Sequence, residues 1–456
     1  MILNHIEIQN YRCFKSIKFD LKPDLNVFVG GNGSGKSSLL DAIRVLLAPI
    51  LSRLPFEKRP TVPGLTPQDI RLTEEDRSEP YTFLQARGGI IEGSHVQEWA
   101  WDRIKHRDTA KGTKEQAPRG RRDTKGLYSY VDSLIEAHNQ KELYQLPVFA
   151  HYGTNRAVDV PHNRMRSKEM PRTFRRLVGL ENALESKSDF RRAVSWFDML
   201  EQREFREKRD NDPPEAALSL TAVRRAIEQM IPRVQNPRID SKTGRFAVDS
   251  VDTSGARIRL HLEQLSDGYQ VMLGVVMDFA LRLSLANPPC SESDDVLATP
   301  AILIIDEIDL HLHPSWQQRV IPDLRRTFPN TQLILTTHSP QVLSTVDVST
   351  IGVLGPPDGT TQLSGRQFQT RGVESAVVLA EIMGVDPVPD VPQVHWLSDY
   401  RALIETGREE TEEGKALKAQ LIVHFGEQHP LILECERLIR FTQFKRSRLT
   451  GDSQRA

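Results

Sequence analysis

The stretch LNVFVGGNGSGKSSLLDAIRVLL, residues 25–47, decides the fold. Its first six residues predict a short buried strand, and the residues from 37 onward have the apolar spacing of a helix. Between them GGNGSGKS, 30–37, matches the pattern G-x-x-x-x-G-K-[ST]. A strand, a glycine-rich loop and a helix in this order predict a phosphate-binding loop. Glycines let backbone N–H groups curl around a phosphate, and the helix N-terminus adds partial positive charge.

The loop residues have separate predicted roles in binding ATP and Mg²⁺. Lys36 would neutralise the β- and γ-phosphate oxygens, and the Ser37 hydroxyl would join the Mg²⁺ shell. A glycine-rich turn without a ligand is the alternative. The predicted nucleotide-binding residues of the loop are Gly30, Asn32, Gly33, Ser34, Gly35, Lys36, Ser37 and Ser38.

A second buried strand, ILIIDE, ends in adjacent carboxylates. Alternation along a strand sends Asp306 and Glu307 in different directions, so they can take different roles. We expect Asp306 to hold Mg²⁺, directly or through water, and Glu307 to polarise the attacking water as a general base. A plain strand end with helix-capping acids is the alternative.

Histidines follow this strand and the next one. His311 and His313 in EIDLHLHPSWQ (307–317) resemble a metal pair, but a structural turn at a subunit interface is favoured, since no further ligands stand at metal spacing. His338 in TTHSP (336–340) ends the strand TQLILT. Open α/β sheets bind ligands beyond the carboxyl ends of their strands, so His338 is expected to reach a γ-phosphate.

The stretch EQLSDGYQVML, 263–273, begins another apolar helix. Ser266, Asp267 and Gly268 predict a helix cap, and in a nucleotide-binding protein they are also candidates for a second phosphate contact.

Bulk composition excludes several classes of protein. The chain has 456 residues, which predicts two or three lobes, and its 60 Lys and Arg nearly balance 61 Asp and Glu. Its three cysteines form neither a metal motif nor a disulfide framework, so a cytoplasmic location is expected. No uninterrupted apolar run reaches the roughly 18 residues of a membrane span. We therefore expect a soluble protein without membrane contact.

Five motifs, taken in order, resemble the ABC-type ATPase heads of the RecF, SMC and OLD proteins. They are IEIQNYRCF, GGNGSGKSS, LSDGYQ, ILIIDEIDLHLHP and TTHSP, and the match covers most of residues 1–355. The resemblance implies an α/β fold: an ABC-type P-loop ATPase head with a mixed sheet core, an antiparallel lobe, a helical signature lobe and a C-terminal helical tail. The expected divisions are 1–160 with the phosphate loop, 161–290 with the signature, 291–365 with the acidic strand and switch histidine, and 366–456 as a helical partner or assembly interface.

The resemblance also implies roles for single residues in a head-to-tail dimer around two ATP molecules. Each phosphate loop would be completed by Ser266, Asp267 and Gly268 of another copy. His338 matches the switch histidine, and Arg12 falls where the family has a basic residue near the nucleotide. Gln68 is the candidate for the glutamine that contacts nucleotide and metal, with Gln85 as the alternative. The signature departs from LSGGQ at Asp267 and Tyr269, so no role at the nucleotide is assigned to Gln270.

The C-terminal tail has two apolar stripes. Leu417, Leu421, Ile422 and Phe425 form one, and Leu431, Cys435, Leu438 and Ile439 form another, which predicts a helical hairpin. This arrangement resembles the PtuA-like ATPases of Septu and retron anti-phage systems. The resemblance implies a separate HNH nuclease partner. A hairpin that packs only on its own head is the alternative. No clustered acids of a Toprim nuclease follow His338, so the chain itself is not expected to cut nucleic acid.

Two basic stretches are candidates for DNA contact. Residues 103–126, interpreted as an exposed insertion, hold nine Lys and Arg against three acids, and residues 164–176 hold six against one. Such clusters can neutralise phosphates, although solvated loops have the same composition.

The motifs and the resemblance together predict an ATPase subunit of a defence complex that switches a nuclease. A RecF-like repair ATPase without a nuclease is the alternative, and a scaffold with a decayed ATPase is disfavoured because Lys36, Asp306 and Glu307 are present.

Overall fold

The computed structural model describes most of the chain. The described residues are 1–107 except 58, 74, 76, 93 and 94; 124–155; 175–186; 190–355 except 252, 253, 290 and 292; and 368–452. The chain divides into two compact units, Met1–Met383 and Gly384–Ala456. Most of the basic stretches 103–126 and 164–176 lies outside the described residues. Of the first stretch, residues 103–106 belong to a strand and residues 124–126 begin a helix.

The described strands all belong to the first unit. They are Ile2–Tyr11 (β1), Phe14–Asp20 (β2), Leu25–Gly30 (β3), Tyr81–Glu92 (β4), His95–His106 (β5), Val148–Tyr152 (β6), Val234–Ile239 (β7), Phe246–Val251 (β8), Arg257–His261 (β9), Ala301–Ile305 (β10), Thr331–Thr336 (β11) and Ile351–Leu354 (β12).

The helices differ widely in length. They are Lys36–Arg53 (α1), Thr124–Gln140 (α2), Phe190–Asp210 (α3), Glu215–Met230 (α4), Asp267–Ala286 (α5), Pro314–Gln317 (α6), Val320–Thr327 (α7), Pro340–Leu343 (α8), Ser375–Glu381 (α9), Pro392–Thr406 (α10), Glu412–Phe425 (α11) and Pro430–Asp452 (α12).

A parallel sheet carries the sequence motifs. Its strand order is β12-β3-β11-β10-β6, and every pairing among these described strands is parallel. Strands β6, β10 and β11 are buried at every residue, as expected for a sheet covered on both faces. The structure confirms the predicted α/β class and refines the core: its strands run parallel, and the antiparallel strands form separate sheets.

The described residues also form two antiparallel sheets. The larger has the order β2-β1-β4-β5, and the smaller has the order β7-β8-β9. In β1 and β2, Ile6, Ile8, Ile17 and Phe19 are buried, while polar residues alternate with them. These sheets are therefore half-buried layers, as the alternating sequence predicts.

Helix α5 runs through the core of the first unit. It is the one helix in the described part of the chain that is long and apolar enough to cross a membrane, and 83% of its most apolar window is buried inside the protein. Its apolar side chains Met272, Val276, Phe279 and Leu283 are fully buried. Burial of this kind is typical of a core helix.

The second unit is helical. Helices α10, α11 and α12 pack around a small core that includes Leu397, Tyr400, Ile404, Leu421 and Ile432. The stripes predicted on α11 and α12 supply Leu421 and Cys435, so the predicted C-terminal helices are present.

Candidate functional site

The phosphate loop connects β3 to α1 at the carboxyl end of the central sheet. Gly33 and Gly35 have φ angles of 78° and 95°, in the left-handed region that favours glycine. A Cβ atom at Gly35 would lie 2.5 Å from a ring carbon of Phe14 and 2.6 Å from the Cys13 sulfur. The loop can therefore take this shape only with glycine at these positions, while Asn32 and Gly33 stay exposed at its tip.

Lys36 lies folded into the loop that precedes it. Its Nζ donates hydrogen bonds to the carbonyl oxygens of Gly30 at 2.9 Å and Gly31 at 3.0 Å. Burial lowers the pKa of Lys36, and the charges of Asp306, Glu307 and Asp309 oppose that effect. A lysine on the inner side of a glycine loop, near three carboxylates, is placed to neutralise phosphate oxygens and a metal-bound phosphate group.

Asp306 connects the acidic strand to the phosphate loop. The Ser37 hydroxyl donates to Asp306 Oδ2 at 2.6 Å, and the Thr336 hydroxyl donates to Asp306 Oδ1 at 2.5 Å. The Asp306 backbone N–H donates to the carbonyl oxygen of Tyr152 on the neighbouring strand at 2.9 Å. Two of the three predicted metal-binding side chains, Ser37 and Asp306, therefore meet at one point.

Glu307 has an unusual backbone. Its φ angle is 49°, a left-handed conformation that is uncommon outside glycine and occurs often at active sites. Its N–H donates to the Thr336 hydroxyl at 2.7 Å, and the next residue, Ile308, donates to the Thr336 carbonyl at 2.9 Å. Thr336 thus orients both acids of the strand end.

The loop after β11 brings His338 beside the acidic strand. The N–H of His338 donates to Asp309 Oδ1 at 3.2 Å, and the Thr337 hydroxyl donates to the same oxygen at 2.6 Å. His338 itself is half-buried. The structure therefore joins the predicted Lys36, Ser37, Asp306, Glu307 and His338 at one edge of the sheet.

The signature residues begin helix α5. Ser266 is the N-cap by its backbone, but its hydroxyl makes no capping hydrogen bond, so the predicted side-chain cap is absent. Asp267 occupies the first turn, where an acid interacts favourably with the helix dipole. Ser266 and Asp267 are exposed, whereas Gly268 is buried. Gln270 donates to the Leu265 carbonyl at 2.7 Å, so this side chain joins its helix to the turn that precedes it.

The start of α5 packs against the segment that follows the acidic strand. A Cβ atom at Gly268 would lie 2.4 Å from the backbone carbonyl oxygen of His311. The Tyr269 ring contacts the Trp316 ring with centroids 4.8 Å apart. In the described residues, none of the hydrogen bonds of the predicted signature reaches the phosphate loop of the same chain.

Arg12 is held by two acids. Its Nη1 lies 2.6 Å from Asp41 Oδ2 on α1, and its Nε lies 2.8 Å from Asp69 Oδ1. Gln68, one residue before Asp69, is exposed on a short 3-10 turn. The alternative candidate, Gln85, lies half-buried within β4. Among the described hydrogen bonds, none joins Gln68 or Gln85 to the phosphate loop.

The site fits a phosphate and a hard divalent cation. The Ser34 hydroxyl in the loop is buried and has no hydrogen-bond partner among the described residues. The hydroxyl of Ser37 and the carboxylate of Asp306 are oxygen donors of the kind that Mg²⁺ binds together with substrate phosphates. Within the described residues, no cluster of three or more His, Cys, Asp or Glu could hold a metal alone. His311 and His313 are both exposed.

Sequence reasoning missed Thr336 and Asp309 as site residues. Thr336 orients Asp306 and Glu307, and Asp309 holds the His338 loop through its Oδ1 atom. A hydroxyl at the carboxyl end of a buried strand and a third acid in DEID were the available signals. Neither signal shows which strands are neighbours.

The sheet order and the loop geometry define a P-loop nucleotide-binding protein. A family model described as "AAA domain, putative AbiEii toxin, Type IV TA system" matches residues 25–344, and the chain belongs to this family.

The curated relatives include two retron proteins named as probable ATPases and a Septu protein. "Retron Ec83 probable ATPase" of Escherichia coli is 28% identical over 494 residues, covering 94% of this chain and 85% of the relative. "Retron Vc95 probable ATPase" of Vibrio cholerae serotype O1 biovar El Tor is 24% identical, covering 91% and 86%. "Septu protein PtuA" of Bacillus thuringiensis is 25% identical over 38% of this chain and 44% of the relative. These relatives confirm the resemblance to retron and Septu ATPases and support ATPase activity.

Proposed function

We propose that this chain is the Mg²⁺-dependent ATPase subunit of an anti-phage defence complex and switches a separate HNH nuclease through ATP-driven dimerisation. The observation that carries the ATPase assignment is the contact between the Ser37 hydroxyl and Asp306 Oδ2 at 2.6 Å, which joins the phosphate loop to the acidic strand. Bound Mg²⁺ would supply charge neutralisation at the β- and γ-phosphates.

The proposed chemistry assigns one task to each residue. Lys36 and the loop N–H groups bind the phosphates, and Ser37 and Asp306 hold the metal. Glu307 accepts a hydrogen bond from the attacking water and directs it, in the general-base role. His338 contacts the γ-phosphate. Asp309 and Thr336 hold the strand ends that position these groups.

Dimerisation is supported by the exposure of the two half-sites. Ser266 and Asp267 are exposed at the start of a helix that is otherwise buried, and Asn32 and Gly33 are exposed at the phosphate loop. A head-to-tail pair would place the first turn of α5 of one copy against the phosphate loop of the other. Each ATP would then be enclosed by two chains, as a dimer or within an assembly of dimers.

The defence role rests on the names of the relatives. Retron and Septu proteins match this chain, and the two retron relatives match it over more than nine-tenths of its length.

We propose that the chain acts in the cytoplasm, with the nuclease as a separate protein. The unit Gly384–Ala456 is the proposed partner or assembly interface, and the basic stretches 103–126 and 164–176 are the proposed DNA contacts.

The catalytic assignment is tested with Glu307→Gln. This variant should bind ATP and dimerise but hydrolyse ATP at least about a hundredfold more slowly, because it lacks the general base. Size-exclusion chromatography with light scattering, with and without Mg-ATP, reports the dimer. Lys36→Ala is the matched control: its own phosphate loop should not bind ATP, so it should form no ATP-dependent homodimer and hydrolyse no ATP. Unchanged dimer lifetime and unchanged hydrolysis in Glu307→Gln would refute the assignment of Glu307.

The defence assignment is tested by purification of the tagged chain from its native host. Recovery of an HNH nuclease in stoichiometric amount supports the proposal, and its loss on deletion of residues 384–456 supports the interface. Recovery of no nuclease subunit supports the RecF-like repair function instead.

The proposed DNA contacts are tested by charge reversal at Arg119, Arg121 and Arg122. The triple variant should show a weaker salt dependence of DNA binding, and an unchanged salt slope would reject these contacts.

A further inference from the structure

Three buried polar side chains lie away from the nucleotide site. They are Tyr152 at the end of β6, and Asp278 and Arg282 on α5, with exposed fractions of 2%, 1% and 3%. The Tyr152 hydroxyl donates to Asp278 Oδ2 at 2.6 Å, and Arg282 Nε donates to the same oxygen at 2.7 Å. Burying such groups is unfavourable unless they are paired, so the cluster is a specific feature of the fold.

Tyr152 contacts two functional elements with different atoms. Its backbone pairs with Ile305 in the parallel sheet, and its carbonyl accepts the N–H of Asp306. Its side chain reaches Asp278 on the helix whose first turn is Ser266 to Gly268. One residue therefore joins the strand that carries the metal-binding acid to the helix that carries the signature.

The rest of the cluster fixes the helix to the same edge of the sheet. Arg282 Nη1 donates to the carbonyl oxygens of Gly179 at 3.0 Å and Glu181 at 2.9 Å. Further along this segment, the Ala183 carbonyl accepts the N–H of His151 on β6 at 2.8 Å. Arg44 on α1 donates to the Leu184 carbonyl at 2.7 Å. The segment Arg175–Ser186 thus contacts the phosphate-loop helix, β6 and α5.

The Tyr152 hydroxyl keeps its proton, so it can donate to Asp278. Burial, together with the charge of Asp278, raises the pKa of Tyr152 well above 10, so the phenol remains a donor. Asp278 Oδ1 is buried and has no partner among the described residues. Asp278 therefore relies on its other oxygen for the hydrogen bonds that hold it.

We propose that the hydrogen bond between Tyr152 and Asp278 is a positioning contact for ATP hydrolysis: it holds the signature helix at the place where its first turn completes the nucleotide site of another copy. This inference rests on the proposed dimeric ATPase. Tyr152 acts through α5 and touches no substrate, so it is a positioning residue. Because its backbone contact with Asp306 is independent of the hydroxyl, Tyr152→Phe should release α5 and leave the acidic strand in place.

The first test measures steady-state hydrolysis by Tyr152→Phe. We expect kcat to fall by about ten- to a hundredfold, because small misplacements of catalytic groups have effects of this size. KM for ATP should stay within about twofold, since the chain's own phosphate loop is intact. Ser284→Ala is the matched control: this hydroxyl is on the same helix, 1% exposed, and has no hydrogen-bond partner among the described residues. It should keep both constants.

The second test asks which copy carries the defect. Tyr152→Phe is co-expressed with Lys36→Ala, which has an intact signature helix. Each variant carries a different affinity tag, and complexes that contain both tags are purified. In a mixed dimer the phosphate loop of the Tyr152→Phe chain faces an undisturbed signature, so one of its two sites recovers. About half of wild-type turnover is expected from complexes selected by both tags, since one of their two sites is intact. Pairing with Ser266→Arg supplies no intact signature and should restore nothing.

The outcomes separate this inference from the proposed function. Wild-type kcat in Tyr152→Phe, or no recovery with Lys36→Ala, would overturn the positioning role while wild-type ATPase activity stands. Absence of Lys36-dependent hydrolysis in the wild-type protein would overturn both. If Tyr152→Phe does not fold, Asp278→Asn is taken through the same mixing experiment, and the same recovery is required of it.

Discussion

Gly268→Ala tests the packing of the signature helix on the segment after the acidic strand. The added Cβ would lie 2.4 Å from the His311 carbonyl oxygen, and real Cβ contacts essentially never fall below 3.0 Å, so the two backbones must separate by at least 0.6 Å. The carbonyl has little freedom. The backbone of His311 is already in the left-handed region, with a φ angle of 63°. The N–H of the next residue, Leu312, donates to the Asp309 carbonyl oxygen at 3.0 Å.

The expected effect on stability is small, and the expected effect on turnover is large. The clash costs about 1–3 kcal/mol, and alanine in place of glycine in a helix returns about 0.5–1 kcal/mol. The net loss is therefore at most about 2.5 kcal/mol. With an unfolding entropy of about 2.1 cal/mol/K per residue over Met1–Met383, this lowers Tm by at most about 3 °C. A signature displaced by 0.6 Å or more should lower kcat at least about tenfold.

The assay pairs thermal unfolding without nucleotide with steady-state ATP hydrolysis. Gly274→Ala, on the same helix, is the control, because its Cβ would meet only the Phe190 side chain, at 3.0 Å. It receives the same gain in helix propensity without a backbone clash, so its Tm should stay constant or rise. A Gly268→Ala protein that is as stable and as active as Gly274→Ala would refute the packing argument.

Three further variants address separate parts of the structure. Ser37→Ala should raise the Mg²⁺ concentration for half-maximal hydrolysis at least about tenfold, because one oxygen ligand is lost; an unchanged Mg²⁺ titration would contradict the metal assignment. Glu207→Gln should lose about 1–2 kcal/mol in denaturant unfolding, since its carboxylate accepts the Ala216 N–H at the start of α4 at 3.0 Å; a change below about 0.3 kcal/mol would speak against this cap. The hydrogen bond from Arg238 lowers the pKa of Asp249 below 3.8, so its stabilisation is present above that pH and is lost as the pH falls through the lower value. The Tm difference between wild type and Asp249→Asn should therefore be constant from pH 7 to 5 and shrink below pH 3.8. A Tm difference that grows on acidification would contradict the predicted loss of stabilisation.

Local patterns were sufficient for the strands that surround the nucleotide site. The sequence LNVFVG predicts β3 at residues 25–30, and the apolar runs AILII and TQLILT predict β10 and β11. Each run is apolar because both faces of the parallel sheet are covered, and this is visible in the sequence itself. The residues GGNGSGKS and the acids after β10 therefore fall at strand ends, as predicted.

The contacts that orient the site depend on neighbours that no local pattern shows. Thr336 and Asp306 are 30 positions apart and meet only because β10 and β11 pair. The ion pairs of Arg12 with Asp41 and Asp69 depend in the same way on tertiary packing. The segment SWQQRVIPDL has the residue types of one helix but forms parts of α6 and α7, with a break at residues 318 and 319. Helix propensity does not reveal such a break, because surrounding packing decides it.

The order of strands in the central sheet has a consequence for synthesis of the protein. Strand β3 carries the phosphate loop, yet its two partners, β11 and β12, lie more than 300 residues further along the chain. The Gln332 side chain likewise bonds the backbone of Leu3, 329 positions away. A nascent chain on the ribosome thus displays its nucleotide loop long before the sheet can close around it. Contacts of such sequence separation make folding slow and late, so ATP binding should begin only after most of the protein has been translated.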